Sequence, residues 1–354
     1  MLLLSLLSSN RVSAEFREPQ WSARPLSFGN AYTGVPADAY SPLWNPAASA
    51  RIEDRVLSLS YGKPSITQGH LASFSFVNSS SKTVKQPGLW WSHFSSDTLN
   101  QENTFAINWS HNLYEWSDNT MLSIGVNLKY LNYSFSTGHN RTQSALSADV
   151  GLMVNPSKEL TFGLVTRDVN RPYIGAQRDQ RLPIQFSMGA ALQIQKNILL
   201  VWDLNKIESD AHFRPRGGIE TRFFGNSLGL RSGANNQYVT GGIDWIGEKI
   251  WKLPLTLEYA FAYPFNSDQN DRIHLFSITT RFGGRAVQQP DDAGASEKDI
   301  YKEEKADREK TDSQTVPAVS KKISSMQEKA GFTLGPDDAV QITVKKRKMP
   351  SAPA

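Results

Sequence analysis

The sequence predicts an all-β fold: a transmembrane antiparallel β-barrel of about 14 strands with an N-terminal plug and a disordered C-terminal tail. Three observations predict it. Between Arg55 and Phe282, segments of about ten residues alternate apolar and polar side chains and are separated by Gly, Asn, Asp, Ser or Pro. These segments number about fourteen, and a closed bacterial barrel needs an even count. The mean hydropathy is -0.43, and no apolar run beyond the N-terminus approaches the length of a spanning helix. That excludes a helical membrane protein but not a barrel, whose strands need only about 9–11 residues and turn half of them toward a wet interior.

At the N-terminus, MLLLSLLSS is a short apolar core, and Val12, Ser13 and Ala14 are the small residues at which a signal peptidase cuts. Residues 1–14 therefore read as a signal peptide. No Lys or Arg precedes the leucines, as a start codon assigned too late would leave it. Residues 15–54 read as the plug. Their centre, GNAYTGVPADAYSPLWNPAASA, is too apolar for a linker, too rich in Gly and Pro for a helix, and lacks a strand's alternation. The bore of a barrel of about fourteen strands is wider than one layer of side chains can fill. A run of small residues and aromatics ahead of the first strand suits that bore, because small residues permit close approach and prolines fix turns without ladder bonds.

Residues 55–283 read as the barrel. Strands are expected to begin near Val56, Gly69, Gly88, Thr104, Met121, Ser144, Leu160, Leu182, Ile198, Phe213, Ser227, Tyr238, Leu253 and Ile273. The clearest segment is MLSIGVNLKY. Leu122, Ile124, Val126, Leu128 and Tyr130 share one face, and Ser123, Gly125, Asn127 and Lys129 the other. LPIQFSMGAALQI divides the same way, with Leu182 through Ile194 supplying the apolar face. Short connections such as NPSKE, QKN and FGN alternate with longer ones such as DVNRPYIGAQRDQR and PFNSDQND, although NSSSKTVKQP and NNQ break the rule. Trp90, Trp91, Trp116, Trp245, Trp251 and Tyr263 stand near segment ends, as interfacial girdles require. A soluble sandwich or propeller would show shorter strands and has no use for a leader and a plug.

Residues 284–354 mix both charge signs with few large apolar side chains, the composition of a segment that cannot bury enough surface to fold. Within them, residues 331–348 carry a Gly-Pro-Asp turn followed by the alternating AVQITVKK, a candidate short ordered motif. It faintly resembles the opening turn of polysaccharide-export domains. The basic KKRK has no interleaved aromatics, so nucleic acid is not an expected partner.

The opening stretch resembles the N-terminal hatch signature of the FadL-like outer-membrane barrels, in a Gly-Ala-Tyr run, an Asp and an Asn-Pro-Ala. The matching positions are Gly29, Ala31, Tyr32, Asp38, Trp44, Asn45, Pro46 and Ala47. Within that superfamily the chain looks closest to the PorV/PorQ-type branch, with later echoes in LPIQFSMGAAL, VWDLNK, GGIETRF and LGLRSGAN. The resemblance covers roughly Pro25 to Phe282. It implies a fourteen-stranded barrel with a periplasmic-side plug in a Gram-negative outer membrane. The best-known members carry hydrophobic molecules inward through the wall, whereas the secretion-linked branch docks exported proteins. Ala48 and Ser49 replace the usual Gly-Leu after Asn-Pro-Ala, and a charged tail is appended.

Side-chain parity places Asp203, Arg216, Glu220, Arg222, Arg231, Asp244, Glu258 and Arg281 on the wet face, where acid and base on neighbouring strands can brace the wall or hold a plug or polar ligand. None of the six histidines has a metal-ligand spacing, and no cofactor motif is present. Ser110 and His111 are adjacent in a strand and so face opposite walls, which prevents their acting as nucleophile and base. An enzyme is not expected, and with no cysteine there is no disulfide or thiolate chemistry. Two functions stay open. One is transport of small hydrophobic molecules; the other is a non-transporting scaffold of a secretion or envelope assembly. In both the barrel sits in outer-membrane lipid with its tail in the periplasm. In the second, residues 285–354 bind a secretion or periplasmic protein.

Overall fold

The computed structural model describes residues 22–36, 38–64, 69–78, 86–96, 100–117, 120–136, 140–174, 180–247, 254–266 and 272–282. The expected signal peptide, the first residues of the expected plug (15–21), Trp251, and the tail with its 331–348 motif lie outside these residues, as does the Trp116 side chain.

The first seven strands are β1 (Arg55–Pro64), β2 (His70–Val77), β3 (Gln86–Ser96), β4 (Asn100–Ser117), β5 (Thr120–Ser136), β6 (Asn140–Asn155) and β7 (Leu160–Arg167). A small hairpin follows, β8 (Tyr173–Ile174) with β9 (Gln180–Arg181). The remaining strands are β10 (Gln185–Gln195), β11 (Ile198–Ile207), β12 (Arg214–Phe223), β13 (Leu228–Ala234), β14 (Tyr238–Ile246), β15 (Leu255–Pro264) and β16 (Ile273–Phe282). All but β8 and β9 join one closed barrel of fourteen antiparallel strands, completed by pairing β1 with β16. Each strand begins within four residues of its sequence-predicted start. We call the end where β1 begins and β16 finishes the proximal end, and the opposite end the distal rim.

The two walls are inverted relative to a soluble protein. On β5, Ser123, Asn127 and Lys129 are buried toward the bore, while Leu128 between them is 63% exposed on the outside. Leu59, Phe105, Ile107, Leu164, Trp202 and Ile278 are likewise exposed, on the outer faces of β1, β4, β7, β11 and β16. An apolar outer surface of this extent belongs in lipid. The chain is a membrane-spanning barrel of the outer-membrane kind.

Three strands exceed the expected length: β4, β5 and β6 run for 18, 17 and 16 residues. Polar runs such as NQEN and NRTQ look like connections because apolar alternation stops at the lipid boundary. Backbone pairing does not need that alternation, so the ladder continues. Two side chains also depart from expectation. Leu182 is not on the apolar wall, because β10 starts only at Gln185. Leu182 and Ile174 are buried instead against Leu131 and Tyr133, at the distal part of β5. Trp90 is 2% exposed and faces the bore, whereas its neighbour Trp91 faces out and stacks on His93. Adjacent strand residues must take opposite faces, so both tryptophans cannot serve the girdle.

Residues 22–54 line the inside of this wall. They form α1 (Ala23–Ser27), α2 (Ser41–Trp44) and a 3-10 turn (Pro46–Arg51), with Pro42 and Pro46 in the first turns, where a missing N–H costs nothing. Asn45 caps the 3-10 turn by accepting the Ala47 amide at 3.1 Å. Helical pieces of four to six residues have no independent stability, so this segment takes its shape from the wall.

Candidate functional site

The contact between residues 22–54 and the inner wall is the candidate site. It begins with close approach. Gly125 and Gly151 face each other across β5 and β6, as do Gly163 and Gly189 across β7 and β10, and Gly218 and Gly233 across β12 and β13. A methyl group at Gly125 would overlap the Pro46 carbonyl, and one at Gly163 the Thr33 carbonyl. Gly29 answers from the segment. Its φ of +65° is left-handed, and a side chain there would strike the Ala234 backbone.

Polar anchors then fix the register. The Asp203 carboxylate accepts the backbone amides of Tyr32 at 2.8 Å and Thr33 at 2.9 Å. Arg216, opposite Asp203 on the next strand, donates to the Asn30 carbonyl at 3.3 Å. Asn45 donates through Nδ2 to the carbonyls of Thr33 and Leu152, at 2.9 and 3.1 Å. Arg167 donates to the Trp44 carbonyl at 2.6 Å, and Asn127 to the Pro42 carbonyl at 2.8 Å. Gly29 donates its amide to Thr240 at 3.0 Å. Buried polar groups of an irregular segment must find partners, and the wet face of the wall supplies them.

One ion cluster joins the segment to β12–β15. Arg24 reaches Asp38 at 2.5 Å and Glu220 at 3.3 Å. Arg231 meets Glu220 at 2.5 Å, Glu258 at 3.6 Å, and Asp244. Arg222 meets Glu220 at 3.0 Å and Asp244 at 3.4 Å. The Tyr40 hydroxyl donates to Glu258 at 2.8 Å. Burial pushes the Asp38 carboxyl up, but the Arg24 guanidinium and the Tyr40 amide outweigh it and hold it below the ordinary carboxylate value. Buried charges persist only when paired in this way.

Two further hydrogen bonds touch the seam where β1 meets β16. The Ala23 amide donates to Ser277 Oγ at 2.9 Å, and Ser277 lies 2.8 Å from Ser60 Oγ. The Tyr40 hydroxyl also lies 3.1 Å from Thr279 Oγ1, which donates to Ser58 at 3.0 Å.

Of the wall charges named from sequence, Glu220, Arg222, Arg231, Asp244 and Glu258 come together, with Asp203 and Arg216 as a separate anchor beside them. Arg281 stands apart, exposed at the proximal end of β16. Of the segment residues, Tyr32 and Trp44 join Phe28, Tyr40 and Trp90 in one apolar cluster, while Ala31 and Ala47 are fully buried. Sequence reasoning missed a second network. Lys129 bridges Asp149 at 2.6 Å and Asp168 at 2.7 Å, and Asn108 donates to Asn127 at 2.9 Å. Parity places Lys129 and Asn127 on the inward face of β5, and the same alternation along β6 turns Asp149 inward, which is the available signal; Asp168 lies in a connection and carries none. Among the described residues no group of three or more His, Asp or Glu is arranged to hold a metal ion.

One sector of the bore is apolar rather than wet. Leu71, Tyr238, Ala260, Ala262, Ile273 and Leu275 turn inward and are buried with Ala23 and Leu26 of α1.

No family model matches the chain, and no curated protein matches its sequence. Solved structures do match. The Ralstonia pickettii toluene transporter TbuX aligns with a TM-score of 0.54 at 11% identity, over 74% of this chain and 98% of its own. A Pseudomonas aeruginosa FadL homologue gives 0.53 at 12%, over 76% and 99%. The P. putida toluene transporter TodX gives 0.53 at 9%, over 75% and 99%. The fold of this chain is that of a FadL-like outer-membrane β-barrel.

Proposed function

We propose that this barrel moves small hydrophobic molecules across the outer membrane, with residues 15–54 as the plug that closes its bore. The observation that carries the reading is the apolar inward sector around Leu26. A barrel interior is ordinarily polar; here an inward wall of Leu, Ile and Ala is covered by Ala23 and Leu26, and a shift of α1 would uncover an apolar surface on which a hydrocarbon can leave solvent. The sector lies against α1, so a molecule held there presses on the same segment that fills the bore. Two of the fold neighbours are described as toluene transporters, which agrees with such a cargo. In this reading residues 1–14 are a signal peptide, the proximal end with its short turns faces the periplasm, and residues 284–354 extend there.

A second reading is favoured by the glycine contacts and buried ion pairs, which hold residues 22–54 firmly. In it the barrel is a non-transporting scaffold of a secretion or envelope assembly, as in the PorV/PorQ-type branch, and the tail binds a periplasmic partner. Uptake of a radiolabelled monoaromatic hydrocarbon by cells with an intact outer membrane separates the two. Transport expects faster uptake when the barrel is present and slower uptake with Leu275→Asn. Equal uptake with and without the barrel removes transport and leaves the scaffold.

A further inference from the structure

The outer wall carries a polar device that the bore does not use. On β1 and β2, the Tyr61 hydroxyl lies 2.7 Å from His70 Nδ1, with the rings stacked at 5.8 Å. On β15 and β16 the same unit recurs: the Tyr259 hydroxyl lies 2.7 Å from His274 Nδ1, with the rings at 6.1 Å. Lys63 sits between the two. It is directly opposite His274 in the β1–β16 ladder, and one step beyond the Gly62–Leu71 pair that brings β1 alongside His70. Lys63, His70 and His274 are all exposed, on the distal side of an outward apolar stretch that includes Leu59, Phe276 and Ile278. Arg272 caps the ring of Tyr263 at 4.7 Å on the same side.

A tyrosine hydroxyl that donates to Nδ1 leaves the imidazole proton on Nε2, the nitrogen directed away from the tyrosine. The two dyads thus hold two N–H donors in fixed orientation on either side of an ammonium. An ordinary aromatic girdle places tyrosine hydroxyls toward headgroup water; here the hydroxyls are used to set the histidines. No carboxylate occurs among the described outward-facing residues of β15, β16, β1, β2 and β3, so no described side chain of those strands neutralises the cations. Cations and N–H donors ranged along the lipid boundary match a phosphate that is itself anchored in the leaflet.

We infer that Lys63, flanked by the Tyr61–His70 and Tyr259–His274 dyads, forms a docking site for the phosphorylated glycolipid (lipid A) of the leaflet at the distal rim. The inference rests on the outer-membrane reading and on the distal rim facing outward, but not on transport.

The test uses the purified full chain, folded in non-ionic detergent, titrated with diphosphoryl lipid A in mixed micelles and read by retained lipid in native mass spectrometry. Dephosphorylated lipid A and phosphatidylglycerol serve as the other arms. Diphosphoryl lipid A is expected to bind more tightly than either, and Lys63→Gln to weaken it about fivefold. Tyr61→Phe with Tyr259→Phe should weaken it too while keeping every cation, because the imidazoles lose their orientation. Equal binding of the dephosphorylated lipid overturns the site and needs no variant that could misfold. Phosphatidylglycerol binding as tightly as lipid A, or Lys63→Gln binding as the wild type does, overturns it as well. None of these readings involves uptake, so failure here and failure of transport are separate results.

Discussion

Asp203 on β11 accepts the backbone amide of Thr33 at 2.9 Å, and the same oxygen takes the amide of Tyr32 at 2.8 Å. One wall carboxylate therefore satisfies two consecutive N–H groups in a stretch that has no ladder of its own. Asp203→Ala leaves both amides buried and unpaired, and each such group costs about 1–3 kcal/mol. The expected result is a barrel that still folds in detergent but whose residues 22–54 become open to protease at Arg24 and Arg51. Resistance equal to the wild type would show that the carboxylate does not anchor the segment.

Gly125→Val tests close approach. Valine suits a strand, so the wall should form, but its side chain must displace the Pro46–Ala47 backbone. Overpacking of this kind costs about 1–3 kcal/mol. The segment is expected to leave the bore, which planar-bilayer recording would register as a conductance absent from the parent. A silent bilayer with an intact, folded variant contradicts the tight fit.

Acid should loosen the same segment through Asp38. Its carboxyl is held below the ordinary value of 3.8, chiefly by Arg24 acting against burial. A carboxylate depressed on docking contributes stability that is present above its undocked pKa and lost as pH falls through the docked one. Docking is expected to be unchanged from neutral pH to about 4 and to weaken below the ordinary value. Protease-exposed fraction against pH checks this, with Asp38→Asn expected to flatten the profile but not abolish it, since Glu220 also pairs with Arg24. A profile equally steep in that variant assigns the effect elsewhere.

The inverted walls predict a position-dependent cost for charge on the outside. Leu128→Arg places a cation in the apolar band and should destabilise the barrel by about 2–4 kcal/mol if at the midplane, less toward either interface. Thr142→Arg lies on the outer face of β6, beyond that band, and should cost little. Urea unfolding in lipid vesicles compares them, and equal midpoints would contradict a lipid boundary between the two.

The barrel was legible in the sequence because lipid and water impose a period of two on every strand, and that period survives even where identity to solved structures is near one in ten. Applied strictly, the same parity would have turned Trp90 inward, since it neighbours the outward Trp91. What the period cannot report is contact. Gly125, Gly163 and Gly233 look like weak strand residues until the opposing backbone is known, and a carbonyl carries no sequence signal. Asp168 was equally invisible because its role depends on Lys129, distant in sequence and close only once β5, β6 and β7 are aligned. The length of β4–β6 escaped notice for a related reason: outside lipid the ladder persists and the pattern does not.

Ser277 and Thr279 are shared by three parts of the molecule: the last strand, the first strand, and the residues that precede the first strand. A ring made in chain order has one junction that must wait for its final piece, and here that junction is gripped from within at two heights by Ala23 and Tyr40. If β16 slid by two residues along β1, the same faces would still point inward, so the alternation of side chains alone would accept the mistake. One interior grip would then lose its hydroxyl, because a slip one way brings Leu275 to the Ala23 amide and a slip the other way brings Arg281 to Tyr40. The in-register closure of β16 on β1 is thus the one alignment that satisfies both grips at once.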